Sequence, residues 1–112
     1  MNIKINAQHL TLSPKQEEAF RLKIEHLARL ASRLEDESSE LRMDLIFRET
    51  RRPADAYECH LTCFVPQDIL RAEAQGASLE NAVDEIVDKM KTQIERYKDK
   101  LHHLHERGKK TK

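Results

Sequence analysis

Leu79–Leu104, LENAVDEIVDKMKTQIERYKDKLHHL, places Leu79, Val83, Ile86, Met90, Ile94, Tyr97, Leu101 and Leu104 at spacings of four and three. That recurrence is one apolar stripe of a long helix. Ser78 stands where a cap is needed, and Gly76 ends whatever precedes it. From Lys89 the polar positions turn basic. Residues 89–112 hold nine Lys and Arg against Glu95, Asp99 and Glu106, a net of +6, so in a chain of formal charge zero residues 1–88 carry −6. A neutral chain with a basic helical end suits a polyanionic partner met in one orientation.

Upstream the period changes. Ile3, Ile5 and Ala7 alternate with Lys4, Asn6 and Gln8, a half-buried strand over Asn2–Gln8. Ser13-Pro14-Lys15-Gln16 supplies an N-cap, a proline where no donor is lost and a capping-box glutamine. Phe20, Ile24, Leu27, Ala31 and Leu34 then mark a helix from about Pro14 to Leu34. Leu41, Met43, Leu45 and Phe47 give a second strand. Arg51–Asp55 is a turn, and Tyr57, Cys59, Leu61, Cys63 and Val65 give a third strand. Pro66-Gln67-Asp68 turns again, into a short fourth strand with Leu70, Ala72 and Ala74 inside.

The order β-α-β-β-β-α has a helical crossover between two strands that pair in parallel, followed by antiparallel hairpins. One apolar stripe per helix puts both helices on one face. The expected fold is a two-layer α/β sandwich, a four-stranded sheet with two helices on one side. At 112 residues a single domain over residues 1–107 is expected, with 108–112 a disordered basic tail. A helix of about 28 residues is roughly 42 Å long and a seven-residue strand roughly 23 Å. Tyr97, Leu101 and Leu104 are therefore expected to overshoot the sheet and to need cover, from helix one, another chain or a ligand.

No segment has the length of a membrane span, the N-terminus does not read as a signal peptide, and two cysteines make no disulfide framework. A reducing cytoplasm is the expected location. Cys59 and Cys63 share a strand face roughly 13 Å apart, too far to bridge, and read as core. His60 is expected on the opposite, exposed face, and His9 in a loop. His102, His103, His105 and Glu106 carry metal-ligating groups, but an exposed helix end offers no convergence or support for them. With two glycines and no nucleophile-base set, no enzyme and no cofactor are expected.

The element order, INAQHLTLSP at the start, RAEAQGASLENAVDEIVDKM, and the run Asp84, Asp88-Lys89, Gln93, Arg96, Lys98 and Lys100-Leu101 resemble the ribosome hibernation promoting factor family. This family is also called ribosome-associated inhibitor A or sigma-54 modulation protein. The resemblance covers nearly the whole chain and is to the short form, which lacks a C-terminal ribosome-pairing domain. It implies a fold like a double-stranded-RNA-binding domain. It also implies binding to small-subunit rRNA in the mRNA channel near the tRNA sites, translation inhibition and a role in stress. Departures stand at Glu80, where the family commonly has tyrosine, at Thr92, where it commonly has arginine, and at Glu17, His26 and Pro66-Gln67-Asp68. Lys91 is the candidate to offset Thr92.

Lys23, Arg29 and Arg33 on the first helix and Lys89, Lys91, Arg96, Lys98 and Lys100 on the second are the candidate RNA-binding residues, grouped on one solvent side. Arg51 and Arg52 in the turn are further cations. The competing readings are solvated faces balanced by Glu18, Glu25, Glu85 and Glu95; a protein-interaction or self-associating module using Tyr97, Leu101 and Leu104; and a general binder of structured RNA.

Overall fold

In the computed structural model the described residues are 2–31, 39–49, 52–65 and 68–110, with side chains described up to Lys100. The strands are β1 (Asn2–Gln8), β2 (Glu40–Phe47), β3 (Tyr57–Val65) and β4 (Asp68–Gly76), and the helices α1 (Pro14–Leu30) and α2 (Leu79–Lys110). The sheet order is β1-β2-β3-β4. β1 pairs in parallel with β2, and the other neighbours are antiparallel. A 3-10 turn, Pro53–Asp55, lies between β2 and β3.

Alternation decides which strand face is buried. Leu41, Met43 and Leu45, then Cys59, Leu61 and Cys63, then Leu70, Ala72 and Ala74 face the helices and are closed to solvent. Phe20, Ile24 and Leu27 of α1 and Val83, Ile86, Met90 and Ile94 of α2 complete one cluster with them. The small Ala72 and Ala74 leave room for the larger α2 side chains to settle on β4. Both helices do lie on one face, as the paired stripes require.

The helices run parallel to one another, as three cross-helix contacts show. Gln16 Nε2 donates to Glu80 Oε1 at 3.1 Å, Lys23 pairs with Asp84, and Lys98 Nζ donates to the Leu30 carbonyl at 2.8 Å. Ser13 caps α1 with Gln16 closing the box. Ser78 Oγ accepts from the Asn81 amide at 3.1 Å. Gly76 has an ordinary φ, and its role is close approach. A Cβ there would stand 3.2 Å from the Ala82 nitrogen, where the chain turns from β4 into α2. His9, directly after β1, takes a positive φ of 61°, a backbone region that histidine enters more readily than most residues.

Several expected boundaries move. α1 ends at Leu30 with Ala31 as its cap; Arg33 and Leu34 lie outside the described residues. β4 has nine residues rather than a short stretch. α2 has 32 residues and runs through Gly108 to Lys110, past the point where a tail was expected to begin.

Tyr97 is also relocated. It is 9% exposed and belongs to the core cluster, because β4 begins at Asp68 and its first residues reach the level of Tyr97. At roughly 48 Å for α2 against roughly 30 Å for β4 the helix does overshoot, but the overshoot starts after Tyr97. The side chains of Leu101 and Leu104, and of the His102–Glu106 group, lie outside the description.

Candidate nucleic-acid interface

Most cations of the sheet face are paired, Arg71 being exposed without an ion pair among the described residues. On the open sheet face, Arg42 Nη2 lies 2.9 Å from Glu40 Oε2 and Lys4 Nζ 3.4 Å from Glu40 Oε1. Arg48 Nη2 lies 3.0 Å from Glu58 Oε2. Glu58 is 4% exposed, and Gln75 Nε2 and His60 Nε2 also approach it, at 3.4 and 3.1 Å. His60 Nε2 is close enough to interact by charge but lacks hydrogen-bond geometry. His60 is half-buried rather than fully exposed, though on the face expected.

On the helix side the candidate cations sort into three groups. Lys23, Lys89 and Lys98 are engaged within the protein: Lys23 with Asp84, Lys89 with Glu85 at 3.6 Å and the Glu73 carbonyl at 2.8 Å, and Lys98 with the Leu30 carbonyl. Arg29, Lys91, Arg96 and Lys100 are exposed, with no ion pair or hydrogen bond from their side chains among the described residues. Arg33 and Arg51 lie outside the description; Arg52 is exposed beside the 3-10 turn.

The helical period determines how these groups are distributed. Asp84, Lys91 and Lys98 recur at seven and lie on the shoulder of α2 facing α1, as the contacts of Asp84 and Lys98 confirm. Lys89, Gln93, Arg96 and Lys100 recur at four and three on the opposite shoulder, toward β4. Between them Asp88, Glu95 and Asp99 form an exposed acidic crest. The basic surface expected as one patch is two rows flanking an acidic ridge.

The departures from the family pattern have places here. Glu80 ties the start of α2 to α1 through Gln16; that hydrogen bond and its own backbone amide hold its carboxyl below the usual value. Thr92 turns its hydroxyl onto the Asp88 carbonyl at 3.2 Å. Lys91 lies about 100° round the helix from Thr92, on the other shoulder, so it does not take the same position.

Between β4 and α2 lies a groove of about 350 Å³, lined by Asp68, Leu70, Gln93, Arg96, Tyr97 and Lys100. Burial, with Asp68 nearby, raises the Tyr97 phenol above its usual value. Gln93 Nε2 donates to the Arg71 carbonyl and Lys89 to that of Glu73, so α2 covers the outer edge of β4 at alternate residues. Asp68 and Gln93 were not among the RNA-binding residues expected from the sequence. Their convergence depends on strand register and helix tilt, which no local spacing reports.

Residues 3–102 match the family described as sigma 54 modulation protein / S30EA ribosomal protein. The chain belongs to this family. Membership makes it a ribosome-associated protein of the hibernation-factor type, in a family of ribosome-binding factors rather than enzymes. No curated protein matches the sequence. The N-terminal domain of Protein Y from Thermus thermophilus has a similar structure, with a TM-score of 0.66, 26% identity, and coverage of 87% of this chain and 99% of that one. A ribosomal subunit interface protein from Coxiella burnetii also gives 0.66, covering 88% and 99%; its 18% identity shows the fold alone. Among the described residues no helix is long and apolar enough to cross a membrane.

Proposed function

We propose that this protein docks its helix layer on rRNA of the small ribosomal subunit, in the channel used by mRNA and tRNA, and halts translation by occlusion. Family membership over residues 3–102 carries the reading. The distribution of unpaired cations favours the helix face, although Arg71 on the sheet face is also exposed and has no ion pair among the described residues. Lys4, Arg42 and Arg48 are neutralised by partners on the sheet face, whereas Arg29, Lys91, Arg96 and Lys100 on the helix face have none among the described residues.

Structured RNA presents phosphates and 2′-hydroxyls rather than a readable major groove, so recognition rests on shape and charge. The acidic crest repels phosphate and the two shoulders attract it. RNA backbone therefore straddles the α2 ridge, which gives the docked domain a fixed orientation as well as affinity. The mechanism requires no bond making, since a folded domain in the channel excludes other occupants. The protein acts in the cytoplasm, where ribosomes are.

Sedimentation with purified ribosomes at low and high salt tests this. The expected result is co-migration with small subunits that weakens as salt rises. Equal affinity for naked duplex RNA would make the protein a general structured-RNA binder. Free protein at every salt, running as a dimer in light scattering, would make it a self-associating module.

A further inference from the structure

The groove between β4 and α2 has a composition that plain backbone binding does not require. α2 is pinned to the outer edge of β4 at Glu73 by Lys89 and at Arg71 by Gln93, and among the described residues this series stops there. One rung further on, the Ile69 amide is satisfied by Asp68 Oδ1 at 2.8 Å. The groove opens at this point.

Leu70 and Tyr97, both nearly closed to solvent, make an apolar floor. Arg96 and Lys100, one helical turn apart, stand at the mouth as two cations with no ion pair among the described residues. Two lining residues keep an acceptor oxygen in reserve. Asp68 uses Oδ1 on Ile69, which leaves Oδ2, and Gln93 donates through Nε2, which leaves its amide oxygen. The volume, about 350 Å³, falls within the roughly 300–1,000 Å³ of small-ligand sites.

The geometry points to a site for one nucleotide unit, with its phosphate at Arg96 and Lys100 and an amine-bearing base on Leu70 and Tyr97, read by Asp68 and Gln93. The pattern of charge is what selects this ligand. Phosphate alone would be met by cations without an apolar floor or a carboxylate at the groove, and a purely apolar ligand would cover the remaining Asp68 oxygen without a donor, at a cost. A nucleotide has an anionic end, a flat apolar body and, in guanine, adenine and cytosine, amino donors that suit a carboxylate. Single-stranded or bulged RNA offers bases splayed out in this way. The inference rests on the ribosome-binding reading for its source, a nucleotide of rRNA; a free nucleotide has the same chemistry.

The test uses the full chain, isotope-labelled, titrated with GMP, AMP, CMP, UMP and ribose 5-phosphate while amide signals are followed by NMR. Saturable shifts at Leu70, Gln93 and Tyr97 are expected, with the amine-bearing nucleotides favoured over UMP by about fivefold or more. Asp68→Asn should remove that preference and leave the fold intact. Ribose 5-phosphate binding as tightly as any nucleotide, or no saturable shift, would overturn the site. Chemical probing of rRNA distinguishes the sources. One base protected by the unaltered protein and re-exposed with Asp68→Asn at full occupancy assigns the site to rRNA; none, with GMP still bound, assigns it to free nucleotide. Ribosome binding without any nucleotide response refutes the groove alone. A nucleotide response without ribosome binding refutes the ribosomal reading alone.

Discussion

Lys98 and Lys91 lie seven residues apart on one shoulder of α2, yet they are expected to fail in opposite ways when neutralised. Lys98 Nζ donates to the Leu30 carbonyl at 2.8 Å, at the C-terminal end of α1. Lys98→Met keeps the aliphatic stem and removes the charge and the donor. A hydrogen bond to a charged group contributes about 1.5–3 kcal/mol, and partial solvation brings that toward ~1 kcal/mol. A cation at a helix C-terminus adds about 0.3–1 kcal/mol. The loss is then about 1–2 kcal/mol, of which each kcal/mol lowers Tm by roughly 4–8 °C in a small domain. Lys91 is exposed with no such contact. Lys91→Met should leave stability within about 0.5 kcal/mol and remove one phosphate contact, which lowers ribosome affinity about five- to eightfold near 0.1 M salt. Urea unfolding and ribosome co-sedimentation of both variants measure the two effects. If Lys98→Met keeps the parent Tm and loses ribosome affinity as Lys91→Met does, the sorting of cations into structural and RNA-facing groups is wrong.

Other outcomes are equally specific. Four phosphate contacts through Arg29, Lys91, Arg96 and Lys100 predict that affinity for ribosomes falls about 10²-fold between 50 and 200 mM salt, and that the Arg96→Ala/Lys100→Ala double variant roughly halves the slope. Arg48→Ala strips a partner from the nearly buried Glu58 and should cost about 1–2 kcal/mol in chemical unfolding; Glu58→Leu in that background should recover part of it. Burial pushes the Cys59 thiol up to about 12, with Asp44 adding to the shift, and Cys63 up to about 11. Native protein should therefore resist thiol alkylation at pH 8 and react fully once unfolded. Because these folded values lie above the unfolded one, their contribution to stability is intact below about pH 9 and is lost as pH rises through 11 and 12; alkaline urea titrations would show the decline.

What the sequence made legible was whatever a single element determines. Leu41, Met43 and Leu45 alternate because one sheet face is buried, and Ser13 with Gln16 caps α1 within four residues. The extent of β4 was less legible. Ile69, Arg71, Glu73 and Gln75 face away from the helices, and Asp68 reads as a turn residue although it begins the strand. That extra length is what brings Tyr97 inside the domain. The acidic crest and its two basic shoulders follow from 100° per residue, but a count of charges along α2 conceals them. The partners of Lys98, Gln93 and Glu58 lie far along the chain or in other strands, and only register and the packing of helix on sheet bring them together.

The cover that α2 lays over β4 also limits how these molecules can join. Arg71 and Glu73 have their outward carbonyls occupied and Ile69 its amide, so a foreign strand finds a poorer template on that border. β1 is the other border, and among the described residues no helix side chain is bonded to its backbone. A sheet that can be lengthened from one side only can pair once, back to back across a two-fold axis, and then has no further place to grow. Strand joining confined to one border closes at two copies, where joining at both borders would run on into a fibre.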